Sequence, residues 1–192
     1  MSAVQRHRVI ILDRDGVINQ KRPHTVTDMA DWEAVPGSMD AIAFLTEADY
    51  TVVVATNQSG IGSGRLSVAA MNELHAHMHT QVQQAGGHIS GIWFCPHRDQ
   101  DDCDCRKPAS GMVEDIIERF SVDAEDVWLV GDRLRDLQAV AAVGGNPVLV
   151  LTGYGRQTLS EEGLPENTQV FDDLLAFAQY LIQQHEAEES EF

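Results

Sequence analysis

The sequence predicts an α/β fold in which helices cover both faces of a mostly parallel sheet. Short apolar runs without polar alternation recur along the 192 residues, which is typical of parallel strands buried on both faces. Stretches with helical periodicity separate these runs. Strands that alternate with helices in this way favour a Rossmann-like three-layer α/β/α architecture. The length suits one domain over residues 1–192.

The expected elements follow one another in a regular βα rhythm. Strands are predicted at 8–13, 51–56, 90–94, 127–130 and 147–151. Helices are predicted at 38–48, 67–85, 110–120, 134–143 and 172–185. Ser67 and Ser110 are the expected N-caps of the second and third helices, and Gly86-Gly87 is expected to end the second. Ligands of open sheets bind beyond the carboxyl ends of the strands, so the residues after each strand are the candidates for function.

Composition excludes several classes of partner. With 13 basic and 30 acidic residues the net charge is −17, which disfavours binding to nucleic acid or to an anionic membrane. The chain has no apolar run near the roughly 20 residues of a membrane span, and its N-terminal MSAVQRHRVIILD lacks signal-peptide features. We therefore expect a cytoplasmic protein. The acidic segment 186–192 is expected to be a solvated, frayed tail.

Two acids follow the first strand directly. Asp13 and Asp15 lie two residues apart in DRDGVIN, where Gly16 allows a sharp turn. Their mutual repulsion would be relieved by Mg²⁺, which prefers oxygen ligands. One carboxylate could then attack a phosphoryl group while the other transfers protons. The alternative is an ordinary Asp-Gly turn with solvated charges.

The next three strand ends carry polar groups that suit a phosphate. The second strand ends in Thr56-Asn57-Gln58-Ser59-Gly60, which taken alone is also compatible with an ordinary polar loop. Lys107 follows the third, and Asp132 follows the fourth as a third candidate metal ligand. Asp136 could simply favour a helix N-terminus. Six of the thirteen basic residues lie in these loops: Arg14, Arg65, Arg106, Lys107, Arg133 and Arg135.

All three cysteines lie in one loop, residues 95–105. Cys95, His97, Cys103 and Cys105 form the pattern C-x-H-x5-C-x-C, which fits a tetrahedral Zn²⁺ site. Four protein ligands leave no open position, so the zinc would be structural. Free thiols are the alternative. The acids of this loop are expected to be solvated, and the histidines of HAHMH (residues 75–79) are expected to be solvated or to serve in packing.

The segments DRDGVIN, VVVATNQSGI, CRKP and VGDRLRD together resemble the four motifs of the haloacid dehalogenase-like phosphatases. Within that family the likeness is to the heptose-bisphosphate and histidinol-phosphate phosphatases, and it runs over residues 8–153. It implies the haloacid dehalogenase fold. Because about 37 residues separate Asp13 from the second strand, there is no room for a large cap domain.

The resemblance also implies a role for individual residues. Asp13 would be the nucleophile that forms an aspartyl-phosphate, Asp15 the general acid and base, and Thr56 and Lys107 would steady the phosphoryl group. Mg²⁺ would be held by Asp13, Asp132 and the backbone carbonyl of Asp15. Substrate would contact Thr56 and Lys107 together with Lys21, Arg22, Pro23, His24, Asn57, Gln58, Ser59, Arg106 and Arg133.

The implied substrate is a small phosphorylated sugar, in particular a heptose 1,7-bisphosphate losing its 7-phosphate on the route to lipopolysaccharide core, with histidinol phosphate as the rival. Three positions depart from the family pattern: the segment 21–24, Arg133 in place of the usual Lys, and Ser110 in place of the usual Pro. A non-catalytic phospho-receiver domain and a zinc-stabilised nucleic-acid module are the alternatives from other classes. We expect a monomer.

Overall fold

The computed structural model describes residues 7–190, and within that range six strands form one parallel sheet. The strands are β1 (Val9–Leu12), β2 (Thr51–Asn57), β3 (Ile92–Cys95), β4 (Val127–Gly131), β5 (Asn146–Val150) and β6 (Gln169–Phe171). Every neighbouring pair is parallel. The five predicted strands are confirmed with ends shifted by up to two residues, whereas β6 was not predicted.

Helices connect the strands and continue beyond the last one. They are α1 (Ser38–Glu47), α2 (Ser59–Gly62), α3 (Val68–Gln84), α4 (Gly111–Phe120), α5 (Leu134–Ala141), α6 (Gly155–Thr158) and α7 (Leu174–Ser190), with a 3₁₀ turn at Ala124–Asp126. The five predicted helices are present, and α2 and α6 are additional single turns. No helix within residues 7–190 combines the length and the apolar character needed to cross a bilayer.

The helix ends test three sequence expectations. Ser67 caps α3 as predicted, because its hydroxyl accepts a hydrogen bond from the amide of Ala70. Ser110 stands at the N-cap of α4 as predicted, but its side chain makes no capping bond and its hydroxyl donates to the Glu114 carboxylate instead. The prediction of a frayed tail is wrong for residues 186–190, which continue α7; residues 191–192 lie outside the described range.

Apolar side chains pack on both faces of the sheet. On one face, Ile10 and Leu12 contact a core that includes residues of α1, α3 and α7. On the other, Val9 and Ile11 pack with residues of α4 and α5. Alternate residues of one buried strand therefore serve opposite cores, which explains its continuous apolar sequence. The predicted three-layer α/β/α fold is confirmed.

The strand order β3-β2-β1-β4-β5-β6 locates the ligand-binding edge. From β1 the chain adds β2 and β3 on one side, and then β4, β5 and β6 on the other side. In such sheets a crevice opens between the two strands where the order reverses, here β1 and β4, beyond their carboxyl ends. Asp13 follows β1 there, and Asp132 follows β4. Between β1 and β2, a stretch that the structure describes in full, α1 is the only helix, which leaves loop 13–37 beside the crevice.

Candidate active site and zinc loop

A buried lysine lies between two acids at the crevice. Lys107 Nζ is 3.0 Å from an oxygen of Asp13 and 2.7 Å from an oxygen of Asp136, and it donates to the carbonyl of Ala55 at 2.7 Å. Burial alone would lower the pKa of Lys107, but the two carboxylates raise it, so the ammonium stays charged. The pKa of Asp13 is raised by burial, although Lys107 opposes that rise.

Asp132 lies beside this group and is held by backbone. Its carboxylate accepts a hydrogen bond from the amide of Tyr154 at 2.8 Å. Burial, followed by the charges of Asp13 and Asp136, raises the pKa of Asp132 to about 7. Gly16, at φ +94°, approaches so closely that a side-chain methyl group would overlap the Asp132 carboxylate.

These acids fit a divalent cation. Oxygen atoms of Asp13, Asp132 and Asp136 lie within 4.8 Å of one another. Asp136 is already paired with Lys107 and accepts the amide of Arg133, which leaves Asp13 and Asp132 to face an ion. Two buried carboxylates with raised pKa values are relieved of repulsion by a hard cation, and the all-oxygen donor set suits Mg²⁺.

Asp15 lies in a different environment from Asp13. Arg14 donates to both of its carboxylate oxygens at 3.1 Å, while Asn19 and Gln58 each donate to one of them at 3.0 Å. Burial would raise the pKa of Asp15, but the charges of Arg14 and Lys21 with these hydrogen bonds lower it to about 2.

The end of β2 supports the same group of residues. Thr56 is buried beside Lys107's anchor Ala55, and its hydroxyl accepts a hydrogen bond from Gln58 at 2.8 Å. Asn57 clamps the backbone of Lys107, donating to its carbonyl at 2.9 Å and accepting from its amide at 3.1 Å. The geometry thus gives Asn57 a direct part in placing Lys107.

A polar pocket of about 310 Å³ opens above Asp15. Nine residues of the predicted substrate set line it: Lys21, Arg22, Pro23, His24, Asn57, Gln58, Ser59, Arg106 and Arg133. Thr56 and Lys107, the other two, are buried at the side of Asp13 and do not line it. Arg65, Arg135 and Tyr154 line the pocket as well.

The cations of the pocket are partly engaged with protein groups. The Arg133 guanidinium stacks 3.7 Å from the centroid of the Tyr154 ring, and Lys21 lies 5.7 Å from it. Arg106 pairs with Asp99 and donates to the carbonyl of His97 at 3.2 Å. The Asp99 side chain is 82% exposed, as the sequence had suggested, and it also forms this ion pair.

The four candidate zinc ligands converge on one point. The sulfur of Cys103 is 3.8 Å from those of Cys95 and Cys105, and Nδ1 of His97 is 3.5 Å and 3.3 Å from the sulfurs of Cys95 and Cys105. A tetrahedron with Zn–S bonds of about 2.3 Å has edges of about 3.8 Å between sulfurs, so the spacing fits zinc. Burial raises the pKa of the Cys95 thiol to about 12, so a cation is needed to hold it as thiolate.

The loop that carries the four candidate zinc ligands, residues 95–105, is packed against the active-site elements. The amide of Gly62, in α2, donates to the carbonyl of Pro96 at 2.9 Å, and a side chain at Gly62 would meet that carbonyl at 2.6 Å. Cys105 immediately precedes Arg106 and Lys107. The conformation of this loop therefore determines the positions of the Arg106 and Lys107 side chains at the crevice.

Comparison with known proteins agrees with this geometry. A model of the family described as polynucleotide kinase 3 phosphatase matches residues 8–140, and one described as HAD-hydrolase-like matches residues 104–177. The chain is 61% identical over 186 residues to the D-glycero-beta-D-manno-heptose-1,7-bisphosphate 7-phosphatase of Neisseria meningitidis serogroup A, covering 96% of this chain and all of the relative. This chain belongs to the haloacid dehalogenase-like phosphatases.

Two solved structures of this family are similar to the chain. The D,D-heptose 1,7-bisphosphate phosphatase of Bordetella bronchiseptica, complexed with magnesium and phosphate, has 51% identity and a TM-score of 0.90, with 92% of this chain and 99% of that chain covered. The enzyme from Burkholderia thailandensis has 46% identity and a TM-score of 0.73, with 91% and 98% covered. The resemblance stated from the sequence is confirmed, as is the assignment to phosphatases.

Four residues of the phosphatase site escaped sequence reasoning. Asp136 was read as a helix-end acid, yet it also pairs with Lys107. Tyr154 lines the pocket, and in addition its amide donates to Asp132 and its ring stacks on Arg133. Arg14 was counted only as a local cation, and His75 was expected to be solvated or to serve in packing. The signal in the sequence was Arg14 itself, an arginine enclosed between two acids that follow a buried strand.

Proposed function

We propose that this phosphatase removes the 7-phosphate of D-glycero-D-manno-heptose 1,7-bisphosphate, with Mg²⁺, in the synthesis of the heptose of lipopolysaccharide core. The observation that carries the proposal is the charge of the pocket. Six cationic side chains and two carboxylates line it, in a protein of net charge −17: Lys21, Arg22, Arg65, Arg106, Arg133 and Arg135 against Asp15 and Asp99. Such a concentration of cations suits a substrate with a second phosphate.

The names of the relatives support the same substrate. The Neisseria and Bordetella proteins are named for heptose 1,7-bisphosphate, and each is matched over nearly its whole length. The Bordetella structure contains magnesium and phosphate, which supports a Mg²⁺ site at the corresponding acids here.

Asp13 is the proposed nucleophile. Its carboxylate oxygen forms a bond to phosphorus while the bond from phosphorus to the sugar oxygen breaks, giving an aspartyl-phosphate. Lys107, 3.0 Å from that carboxylate, favours its ionised form and offsets charge on the phosphoryl oxygens. Thr56, on the adjacent strand end, donates its hydroxyl proton to the phosphoryl group.

Asp15 is the proposed general acid and base. It gives a proton to the departing sugar oxygen, and it then removes a proton from the water that attacks phosphorus and releases Asp13. In the free enzyme, Arg14 and Lys21 keep the pKa of Asp15 near 2. A phosphate dianion entering the pocket offsets these cations, which raises the pKa toward the range that an acid needs.

Both metals have a proposed place. Mg²⁺ would be held by Asp13, Asp132 and the backbone carbonyl of Asp15, and it would stabilise the charge on the transferring phosphoryl group. Zn²⁺ would be held by Cys95, His97, Cys103 and Cys105 as a structural ion.

The proposed substrate contacts lie around the pocket. Arg106 and Arg133 suit the phosphate that is not cleaved, since a guanidinium binds phosphate through paired donors. The buried Nε atoms of Arg133 and Arg135 have no hydrogen-bond partner within residues 7–190. Lys21, Arg22, Pro23 and His24 bound the pocket from the loop after β1.

Histidinol phosphate is the second candidate substrate. It carries a single phosphate and a cationic amine, which the surplus of pocket cations would repel. A phospho-receiver function would leave the polar pocket without a purpose, and the net charge of −17 disfavours a nucleic-acid module. A cytoplasmic location and a monomeric state stay predictions from the sequence.

A panel of substrates tests the function. Release of inorganic phosphate is measured with Mg²⁺ on both anomers of heptose 1,7-bisphosphate, fructose 1,6-bisphosphate, histidinol phosphate and an oligonucleotide 3′-phosphate. We expect the highest kcat/KM on a heptose bisphosphate, with the 7-phosphate lost. A higher kcat/KM on histidinol phosphate or on the oligonucleotide would contradict the proposal.

A further inference from the structure

A buried guanidinium connects the second acid of the site to a histidine on α3. Arg14 is fully buried. One of its terminal nitrogens donates to both carboxylate oxygens of Asp15 at 3.1 Å and lies 3.4 Å from Gln58 Oε1. The other lies 3.2 Å from Nε2 of His75, which is 61 residues away in the sequence and 7% exposed.

The chemistry of arginine fixes the direction of the last contact. A guanidinium has five N–H donors, no acceptor, and a proton that it does not release. Nε2 of His75 must therefore accept, so the ring is neutral and carries its proton on Nδ1. Burial, together with the charge of Arg14, lowers the pKa of His75 to about 4, which agrees with a neutral ring.

His75 is one of few restraints on Arg14. The Nε atom of Arg14 has no hydrogen-bond partner within residues 7–190, so the described contacts of the guanidinium are Asp15, Gln58 and His75. Loss of His75 would leave a second buried donor of Arg14 without a partner, which is unfavourable in a site from which water is excluded. The guanidinium would then turn away from the plane in which it meets both oxygens of Asp15.

We propose that His75 is a positioning residue for catalysis: it fixes the guanidinium of Arg14, which in turn orients the carboxyl group of Asp15 toward the leaving oxygen of the substrate. This inference rests on the proposed function, because it takes Asp15 as the general acid. His75 itself does not line the pocket above Asp15.

The loss of activity on substitution of His75 should depend on the leaving group of the substrate. When the P–O bond to a sugar breaks, the departing oxygen needs the proton of Asp15. When the bond to p-nitrophenol breaks, the phenolate leaves without one. A misplaced Asp15 therefore slows release from the sugar phosphate and leaves formation of the aspartyl-phosphate from p-nitrophenyl phosphate almost unchanged.

Four variants with Mg²⁺ test the proposal. In His75→Leu the acceptor is lost, in His75→Gln an amide oxygen takes the position of Nε2, and in His75→Asn the amide is too short to reach. His79→Leu is the control, because His79 lies one turn further along α3 and makes no described contact with Arg14. kcat and KM are measured for heptose 1,7-bisphosphate and for p-nitrophenyl phosphate.

We expect His75→Leu and His75→Asn to lower kcat on the heptose bisphosphate by about 10- to 100-fold, with KM changed less than about threefold. On p-nitrophenyl phosphate kcat/KM should fall less than about threefold, because this ratio covers only the steps up to departure of p-nitrophenolate and not the later hydrolysis of the aspartyl-phosphate, in which Asp15 also acts. His75→Gln and His79→Leu should stay near the original protein on both substrates. Equal losses of kcat/KM on the two substrates, an unchanged His75→Leu, or a His75→Gln as slow as His75→Asn would overturn the proposal.

The Gln and Asn variants keep the test valid if His75→Leu does not fold, since both are polar and differ in reach alone. Failure of the proposed function has a separate signature. In that case the unsubstituted protein hydrolyses p-nitrophenyl phosphate but no heptose bisphosphate, and the variants are then compared on the best alkyl phosphate of the substrate panel.

Discussion

The acids after β1 differ in chemistry because their surroundings differ. Asp13 is buried next to Lys107, and burial raises its pKa. Asp15, two residues later, contacts Arg14 and accepts amide donors, and its pKa is lowered to about 2. The two carboxylates are therefore suited to different roles, because Asp13 contacts a buried cation and Asp15 is surrounded by hydrogen-bond donors.

The neutral state of His75 has a consequence for stability at acid pH. The ring has a pKa of about 4 in the folded protein against 6.5 as its ordinary value, so the unfolded chain takes up a proton first as pH falls. The stability that depends on a neutral His75 is fully present above about pH 6.5 and is lost as pH falls toward 4. We expect the free energy of unfolding to drop by about 1–2 kcal/mol more in the original protein than in His75→Gln between pH 7.5 and pH 5.

Urea denaturation at the two pH values measures this difference. The groups common to both proteins, including the candidate zinc ligands, cancel in the comparison. A drop of equal size in both proteins would mean that His75 takes up its proton at the ordinary pKa in the folded protein, so that the contact with Arg14 does not keep the ring neutral.

Single residues at strand ends were predictable, but their partners were not. Asp13, Asp15 and Asp132 stand out because acids directly after buried strands are poor packing, whereas Thr56 lies at the end of β2 and Lys107 follows the cysteine loop after β3. The partner of Arg14 lies on α3, across 61 residues, and no linear pattern joins the two. Contacts of this kind depend on how a helix rotates against the sheet.

Among the elements, the loop 95–105 is the one whose fold should depend most on the proposed zinc ion. Between Cys95 and Cys105 the structure describes no helix or strand, and Asp99, Asp102 and Asp104 are exposed. Such a segment buries too little apolar surface to offset its loss of chain entropy, and four ligands around the proposed ion would replace the missing core.

Removal of one ligand should therefore weaken the whole segment. We expect Cys103→Ser to lose bound zinc and to lower the melting temperature by on the order of 10 °C, because a structural site contributes its binding energy to folding. kcat should fall as well, since Arg106 and Lys107 follow the loop. Zinc content is measured by elemental analysis and melting by calorimetry.

Asp102→Ser is the matched control, an exposed position in the same loop outside the ligand set. It should keep one zinc per chain and the original melting temperature. A zinc-free Cys103→Ser that melts at the same temperature as the control would contradict a structural zinc.

The sequence predicted best those strands and helices whose side chains are most buried. Strands β1, β2, β4 and β5 are continuous apolar runs, and their residues are almost all buried. β6 has three residues at the edge of the sheet, none of them buried, so its sequence QVF carries no strand signal. The four-residue helices α2 and α6 are too short to show a period.

At the scale of the whole molecule, charge is divided between surface and pocket. The chain has a net charge of −17, and yet the pocket above Asp15 is lined by an excess of arginine and lysine. Such a local cationic field would raise the concentration of an anionic substrate at the crevice.

This field should be sensitive to salt. We expect kcat/KM for a heptose bisphosphate to fall by roughly tenfold when NaCl rises from about 0.02 M to about 0.5 M, and to fall less for a monophosphate. Arg65→Gln, in the pocket, should flatten the salt dependence. Arg119→Gln, on an exposed part of α4, should leave it unchanged. The same dependence of kcat/KM on salt in the original protein and in both variants would show that the pocket cations do not attract the substrate.

The central claim is that Asp13 carries the phosphoryl group. Its most direct test is an acid quench during turnover of heptose 1,7-bisphosphate with Mg²⁺, followed by mass spectrometry of the peptides. The account predicts phosphate on the peptide that contains Asp13, and neither this adduct nor released phosphate in a folded Asp13→Asn variant. Appreciable phosphate release by that variant, or an adduct on another residue, would contradict it.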